Sequence, residues 1–150
     1  MTVTKPSYIH STLDALKGRY AIVTGASSGI GAAIANEFTA LGMHVFGWDL
    51  NSNNAPGNSV TALAIDITDE ASVVDGFISV LEETEQLDVL VNCAGIGGIK
   101  RTRYMASDEW NTMLSVHATG SFLCAREALA SMETQGCGSI INIASICGLT

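Results

Sequence analysis

Short apolar runs alternate with helix-patterned stretches along most of this chain, and that alternation narrows its possible architectures to a few. Tyr20–Thr24, Met43–Asp49, Val60–Asp66, Leu87–Asn92 and Ser139–Ala144 each read as a strand. Between the first two, Ile30–Leu41 repeats Ile34, Phe38 and Leu41 at helical spacing before Gly42 stops it. Thr68 is placed to cap a helix over Asp69–Thr84, with Val73, Phe77, Val80 and Leu81 on one side. Ser107 is placed to cap a long helix reaching Glu133, whose apolar stripe carries Trp110, Met113, Leu114, Ala118, Phe122, Ala125, Leu129 and Met132. The Asn51–Ser59 link is rich in Asn, Ser, Gly and Pro, so that crossover is expected to be loop. Strands joined through such crossovers pair in parallel. The expected fold is α/β, a doubly wound parallel sheet of order 3-2-1-4-5, incomplete on its C-terminal side. A ligand crevice belongs where that order reverses, at the ends of the first and fourth strands.

The first strand hands over to its helix through Thr24-Gly25-Ala26-Ser27-Ser28-Gly29-Ile30-Gly31. Glycine at Gly25, Gly29 and Gly31 permits positive φ, close backbone approach to a diphosphate, and tight packing of helix on strand. The helix N-terminus beyond offers unpaired N–H groups and a favourable dipole, and Ser27 and Ser28 add hydroxyl donors. This placement makes a Rossmann-type dinucleotide site the reading, where an ordinary flexible turn is the bland alternative. Asp49 closes the second strand, eighteen residues after Gly31. An acid there accepts hydrogen bonds from the adenosine ribose and repels the extra phosphate of NADP, so NAD is the expected cofactor. A solvated strand-end acid is the competing reading. Trp48 beside it is read as packing.

Composition excludes other classes. A chain of 150 residues, 47% hydrophobic and 15% charged, suffices for one packed domain. The expected division is an N-terminal extension over 1–18 and a dinucleotide-binding domain over 19–150. Within the extension, Pro6 interrupts and Ser11–Leu16 could form one capped turn. The net charge of −8 argues against nucleic acid as a partner. Lys100, Arg101 and Arg103 form the one basic cluster, read either as a solvated loop or as a contact to a cofactor or substrate phosphate. No apolar run reaches the roughly 18 residues of a membrane span, and Met1–Gly18 lacks a signal-peptide core. A cytoplasmic location is expected. Cys93, Cys124, Cys137 and Cys147 have no metal-type spacing and are expected as small buried hydrophobes, so no metal site is expected. His10 and His44 sit in no readable motif.

With glycine spacing G-x-x-x-G-x-G, the sequence resembles the short-chain dehydrogenase/reductase family from about Gly18 to Thr150. Thr24–Gly31, including Ile30, resembles the family's cofactor turn, and Asp66-Ile67 its adenine-holding pair. Asn92-Cys93-Ala94-Gly95 is similar to the Asn-Asn-Ala-Gly segment, with Cys93 replacing the second Asn; Asn92, Ala94 and Gly95 are thereby implied at the cofactor. Ser139–Gly148 resembles the strand presenting the active-site serine, which falls on Ser145. The resemblance implies an oxidoreductase moving hydride between nicotinamide and a secondary alcohol or ketone, with Ser145 bonding the substrate oxygen.

Two positions depart from the family pattern. Where members carry an asparagine of the proton relay, Val116-His117-Ala118-Thr119-Gly120 has His117. It is read as a core histidine with a satisfied ring, as a relay substitute of catalytic role, or as a lesion. The family's Tyr-x-x-x-Lys motif is absent: Tyr8, Tyr20 and Tyr104 have no lysine four residues on. The chain is therefore expected to be incomplete, to bind cofactor without turnover by itself, and to expose Ile141 and Ile143 on an edge strand. The family's long helix commonly packs against a second subunit, which implies a homo-oligomer through 107–133. The alternative is a catalytically silent nucleotide-binding or sensing module. A methyltransferase also places glycines after its first strand, but Asn92–Gly95 and Ser145 speak against it.

Overall fold

The structure, a computed structural model, describes residues 14–51, 57, 59–97 and 100–145. The readings made for Pro6, Tyr8, His10, Ser11–Leu13 and Cys147 lie outside the described residues. Element order is β1 (Tyr20–Thr24), α1 (Gly29–Ala40), β2 (His44–Asp49), β3 (Val60–Ala64), α2 (Glu70–Thr84) and β4 (Val89–Asn92). A 3-10 turn (Thr102–Tyr104), α3 (Ser107–Leu114), a π-helical turn (Ser115–Gly120), α4 (Ser121–Gln135) and β5 (Ser139–Asn142) follow. All strands pair in parallel in the order 3-2-1-4-5, as expected. Between β2 and β3, the described residues Leu50, Asn51, Gly57 and Ser59 hold no helix.

β1 lies at the centre because its Ala21-Ile22-Val23 run is apolar and can be covered on both faces. Alternation along it feeds two cores. Ile22 joins Phe46, Trp48, Leu90, Val73, Phe77, Val80, Leu123, Cys124, Ala128 and Met132 beneath α2 and α4. Ala21 and Val23 join Val45, Val60, Val91 and Ala35 beneath α1. Trp48 is fully buried and meets Phe77 edge-on at 5.0 Å, so its reading as packing stands. A Cβ at Gly76 would lie 3.1 Å from the Trp48 ring, which explains a glycine inside α2.

Three sequence expectations are corrected. The first concerns caps. Asp69, not Thr68, caps α2, its carboxylate accepting from the Ala71 N–H at 3.1 Å, while the Thr68 hydroxyl donates to Asp66. Ser107 is the first residue of α3 rather than its cap; Glu109 Oε2 instead accepts from the N–H of Ala106 at 2.7 Å. In each case a carboxylate, the stronger acceptor, takes up a free amide at the helix start: that of Ala71 in α2 and that of Ala106 in α3.

The second concerns the long helix. Its buried face runs through Gly120, Leu123, Cys124, Ala128 and Met132, whereas Trp110, Leu114, Phe122 and Leu129 are exposed. Of the expected stripe only Met132 is buried. Apolar residues lie on two sides of this helix, so spacing alone does not select the inner one. The π turn also breaks the regular 3.6-residue repeat at its middle. The third concerns cysteines: Cys124 is buried, but Cys93 is half-buried and Cys137 is exposed.

Candidate functional site

Register brings the two glycine-bearing loops together. Val23 pairs with Val91, so Gly25 and the Cys93–Gly95 loop leave the sheet side by side. Thr24 ties them: its Oγ1 accepts from the N–H groups of both Cys93 and Ala94 at 3.0 Å. The Gly25 N–H donates to Trp48 O at 2.7 Å, fixing the turn to the end of β2 as well. No bulkier residue fits at two of these positions. A Cβ at Gly25, where φ is +69°, would lie 2.7 Å from Ala94 Cα, and one at Gly31 would lie 2.2 Å from Gly25 O. Gly29 has φ +54° and open space where a side chain would start.

Above this junction lies a cleft of about 1030 Å³, at the carboxyl ends of β1 and β4. It gathers Gly25, Ser28, Gly29, Ile30, Gly31, Asp49, Asp66, Ile67, Ala94 and Gly95 from segments far apart in sequence. Ile30 is 62% exposed at its rim. Ser28 opens α1 without a side-chain hydrogen bond to the helix, and the first turn of α1 holds no acidic residue. A helix N-terminus with neither hydroxyl cap nor carboxylate, reached through glycines, is the donor set a diphosphate requires. The residues present thus fit a dinucleotide.

Asp49 is held at the cleft by two backbone donors: Ser27 N–H to Oδ2 and Asn51 N–H to Oδ1, both at 3.2 Å. Asp66 Oδ1 accepts from the Thr68 N–H at 2.9 Å and its hydroxyl at 2.7 Å, which fixes the turn leading into α2. Ser27 does not line the cleft; its hydroxyl donates to Asn51 O at 2.8 Å and braces the turn. Asn92 is also turned away. It is 5% exposed, and its Nδ2 donates to Asn142 Oδ1 at 2.9 Å and Ser121 O at 3.3 Å. Its job here is to join β4, β5 and α4.

A second cavity of about 550 Å³ adjoins the first across Ala94 and Ile143. Its lining includes Asn92, His117, Ser121, Asn142 and Ser145, so the two residues expected to be catalytic share one space. His117 is not a core histidine: it is exposed on the π turn, with Nε2 2.9 Å from Ile96 O. Burial raises the Cys93 thiol, and pushes that of Cys124 up to about 12. Lys100 pairs with Glu109 and Arg103 stacks on Tyr104, and none of the three basic residues lines either cavity. Among the described residues, no group of three or more metal-type side chains is gathered, and no helix is long and apolar enough to cross a membrane.

Two contributions were missed from sequence. Thr24 is read from sequence as the strand end that opens the glycine turn, and no motif there signals its bond to the amides of Cys93 and Ala94. Asp108, Asn111, Thr112 and Ser115 form the cleft's far wall. Their spacing of three, four and seven marks one polar helical face.

These features define a Rossmann-type α/β protein with its ligand cleft at the topological switch point. The family described as short chain dehydrogenase matches residues 19–150. The chain is 33% identical over 139 residues to a D-threitol dehydrogenase of Mycolicibacterium smegmatis, covering 87% of this chain and 54% of that protein. It is 36% identical over 144 residues to a 2-(R)-hydroxypropyl-CoM dehydrogenase of Xanthobacter autotrophicus, covering 87% and 58%. A short-chain dehydrogenase from Streptomyces avermitilis superposes with a TM-score of 0.83 at 30% identity, over 89% of this chain and 51% of that one. The chain belongs to the short-chain dehydrogenase/reductase family, whose members are oxidoreductases using NAD or NADP. It spans about half the length of the curated relatives it matches.

Proposed function

We propose that this chain is the NAD(H)-binding part of an oxidoreductase acting on a secondary alcohol or ketone. The observation that carries the reading is the uncapped N-terminus of α1, opening on the cleft through Gly25, Gly29 and Gly31. Backbone N–H groups of Gly29, Ile30 and Gly31 would hold the diphosphate, and Asp66, Ile67, Ala94 and Gly95 the adenosine side of the cleft. Bound nicotinamide would supply or accept hydride. Ser145 would hydrogen-bond the substrate oxygen from the second cavity. The 150 residues carry no Tyr-x-x-x-Lys, so binding without turnover is the behaviour proposed for this stretch by itself.

Preference for NAD rests on Asp49. Its carboxylate is oriented by two amides and would meet ribose hydroxyls, while a phosphate at that place would face a fixed negative charge. The exposed apolar side chains Trp110, Leu114, Phe122 and Leu129 support homo-oligomer contact through the long helix. The unit proposed is a domain over 19–150 with 1–18 as an extension, in a cytoplasmic setting. Titration of Asp49→Ala with both cofactors tests the preference. NADH affinity should fall roughly tenfold relative to NADPH, as loss of about one charge-assisted hydrogen bond implies. Equal loss for both would remove Asp49 as the discriminator.

A further inference from the structure

The ring of His117 faces two polar groups of a single residue. Its Nε2 lies 2.9 Å from Ile96 O and 3.3 Å from Ile96 N. One imidazole nitrogen either carries a proton and donates or is bare and accepts, so the two contacts exclude each other. The contact to the carbonyl is the shorter of the two and is the one a proton on Nε2 would serve. The ring also has a fitted seat. A Cβ on residue 95 would stand 2.7 Å from His117 Cε1 and 3.3 Å from Nδ1, so Gly95 is the residue that admits it.

The other side of His117 is anchored too. Gly120 closes the same π turn, and a Cβ there would lie 2.7 Å from Ile67 Cδ1 and 3.1 Å from Ile67 O. Ile67, Gly95 and Ile96 all line the large cleft. The π turn is therefore wedged between two cleft walls. It meets one through close packing at Gly120 and the other through the ring of His117. Among the described residues no charged side chain lines the smaller cavity beside the ring; its polar neighbours are Asn92, Ser121, Asn142 and Ser145.

We propose that His117 is a positioning residue that latches the Cys93–Gly97 loop to the π turn through Nε2–H donation to Ile96 O, with Gly95 as its seat. The latch sets the wall of the cleft without touching its ligand. Its effect on cofactor affinity rests on the cleft being the NAD(H) site, whereas the latch itself does not.

The test uses the full 150-residue chain. With ¹⁵N-labelled histidine, the ring nitrogens of His117 at pH 8 should read as a protonated Nε2 and a bare Nδ1, the signal being assigned by its loss in His117→Asn. A protonated Nδ1 with bare Nε2 would overturn the latch, with no cofactor involved. In NADH titration, His117→Phe keeps a ring but no donor and should bind about 2–10-fold more weakly. His117→Asn regains a donor and should return to within about twofold of the original. His117→Phe binding as tightly as the original chain would overturn the positioning role. Failure of the original chain to bind NADH would sink the cleft reading, and the ring nitrogens would still decide the latch.

Discussion

The two adjoining cavities are built by different means. The end of the cleft over β1 and the N-terminus of α1 is shaped mainly by backbone, the glycines Gly25, Gly29 and Gly31 at its surface and, beneath them, a threonine that binds two amides. The smaller cavity over β4, the π turn and the end of β5 is made of side chains: His117, Ser121, Asn142 and Ser145. A site made of backbone is fixed by where side chains are missing, so it tolerates almost no addition. A site made of side chains is fixed by their identity, and here that identity includes His117.

Adding one methyl group at Gly31 should separate the two most sharply. The Cβ of Gly31→Ala would enter the Gly25 carbonyl, so the turn must open. Overpacking of this kind costs about 1–3 kcal/mol or more. Calorimetry should find a lower Tm, and NADH titration a loss of binding. Unchanged binding would mean that the turn is not the cradle. Next in size is Thr24→Val, which strips the shared acceptor from two amides without adding bulk. Leaving such groups unpaired costs about 1–3 kcal/mol, read as a reduced denaturation midpoint with an unchanged slope. No change would show that the joint between the loops lies elsewhere.

The smallest effect belongs to a residue that lines neither cavity. The Lys100 ammonium, followed by the Ala106 N–H, holds the exposed Glu109 carboxyl below its usual range. A folded-state value below the unfolded one adds stability above the unfolded value, and that stability disappears as pH falls through the folded one. Glu109→Gln should therefore melt slightly below the original chain at pH 7 and level with it in acid. A gap that persists in acid would assign the effect to packing.

The same contrast explains what sequence made legible. Strand order, the glycine turn and Asp49 follow from local pattern, because alternation and missing side chains are visible one residue at a time. Adjacency in sequence says nothing of side-chain direction, so it does not reveal that the Ser27 hydroxyl braces Asn51 or that the Asn92 amide bonds across to Asn142 beside the second cavity. The core reading of His117 follows from its place on the apolar stripe, but it lies in the π turn, where the 3.6-residue spacing does not hold, and it is exposed. Phe122 and Leu129 misled for a related reason, since a helix apolar on two sides leaves the choice of inner face to its neighbours.

Amide chemical shifts during NADH addition report most directly on the first cavity. The backbone signals of Gly29, Ile30 and Gly31 should move along saturable curves sharing one dissociation constant. Signals in that segment that stay fixed up to millimolar NADH, in a sample whose dispersion proves it folded, would contradict the assignment of the α1 N-terminus to a diphosphate.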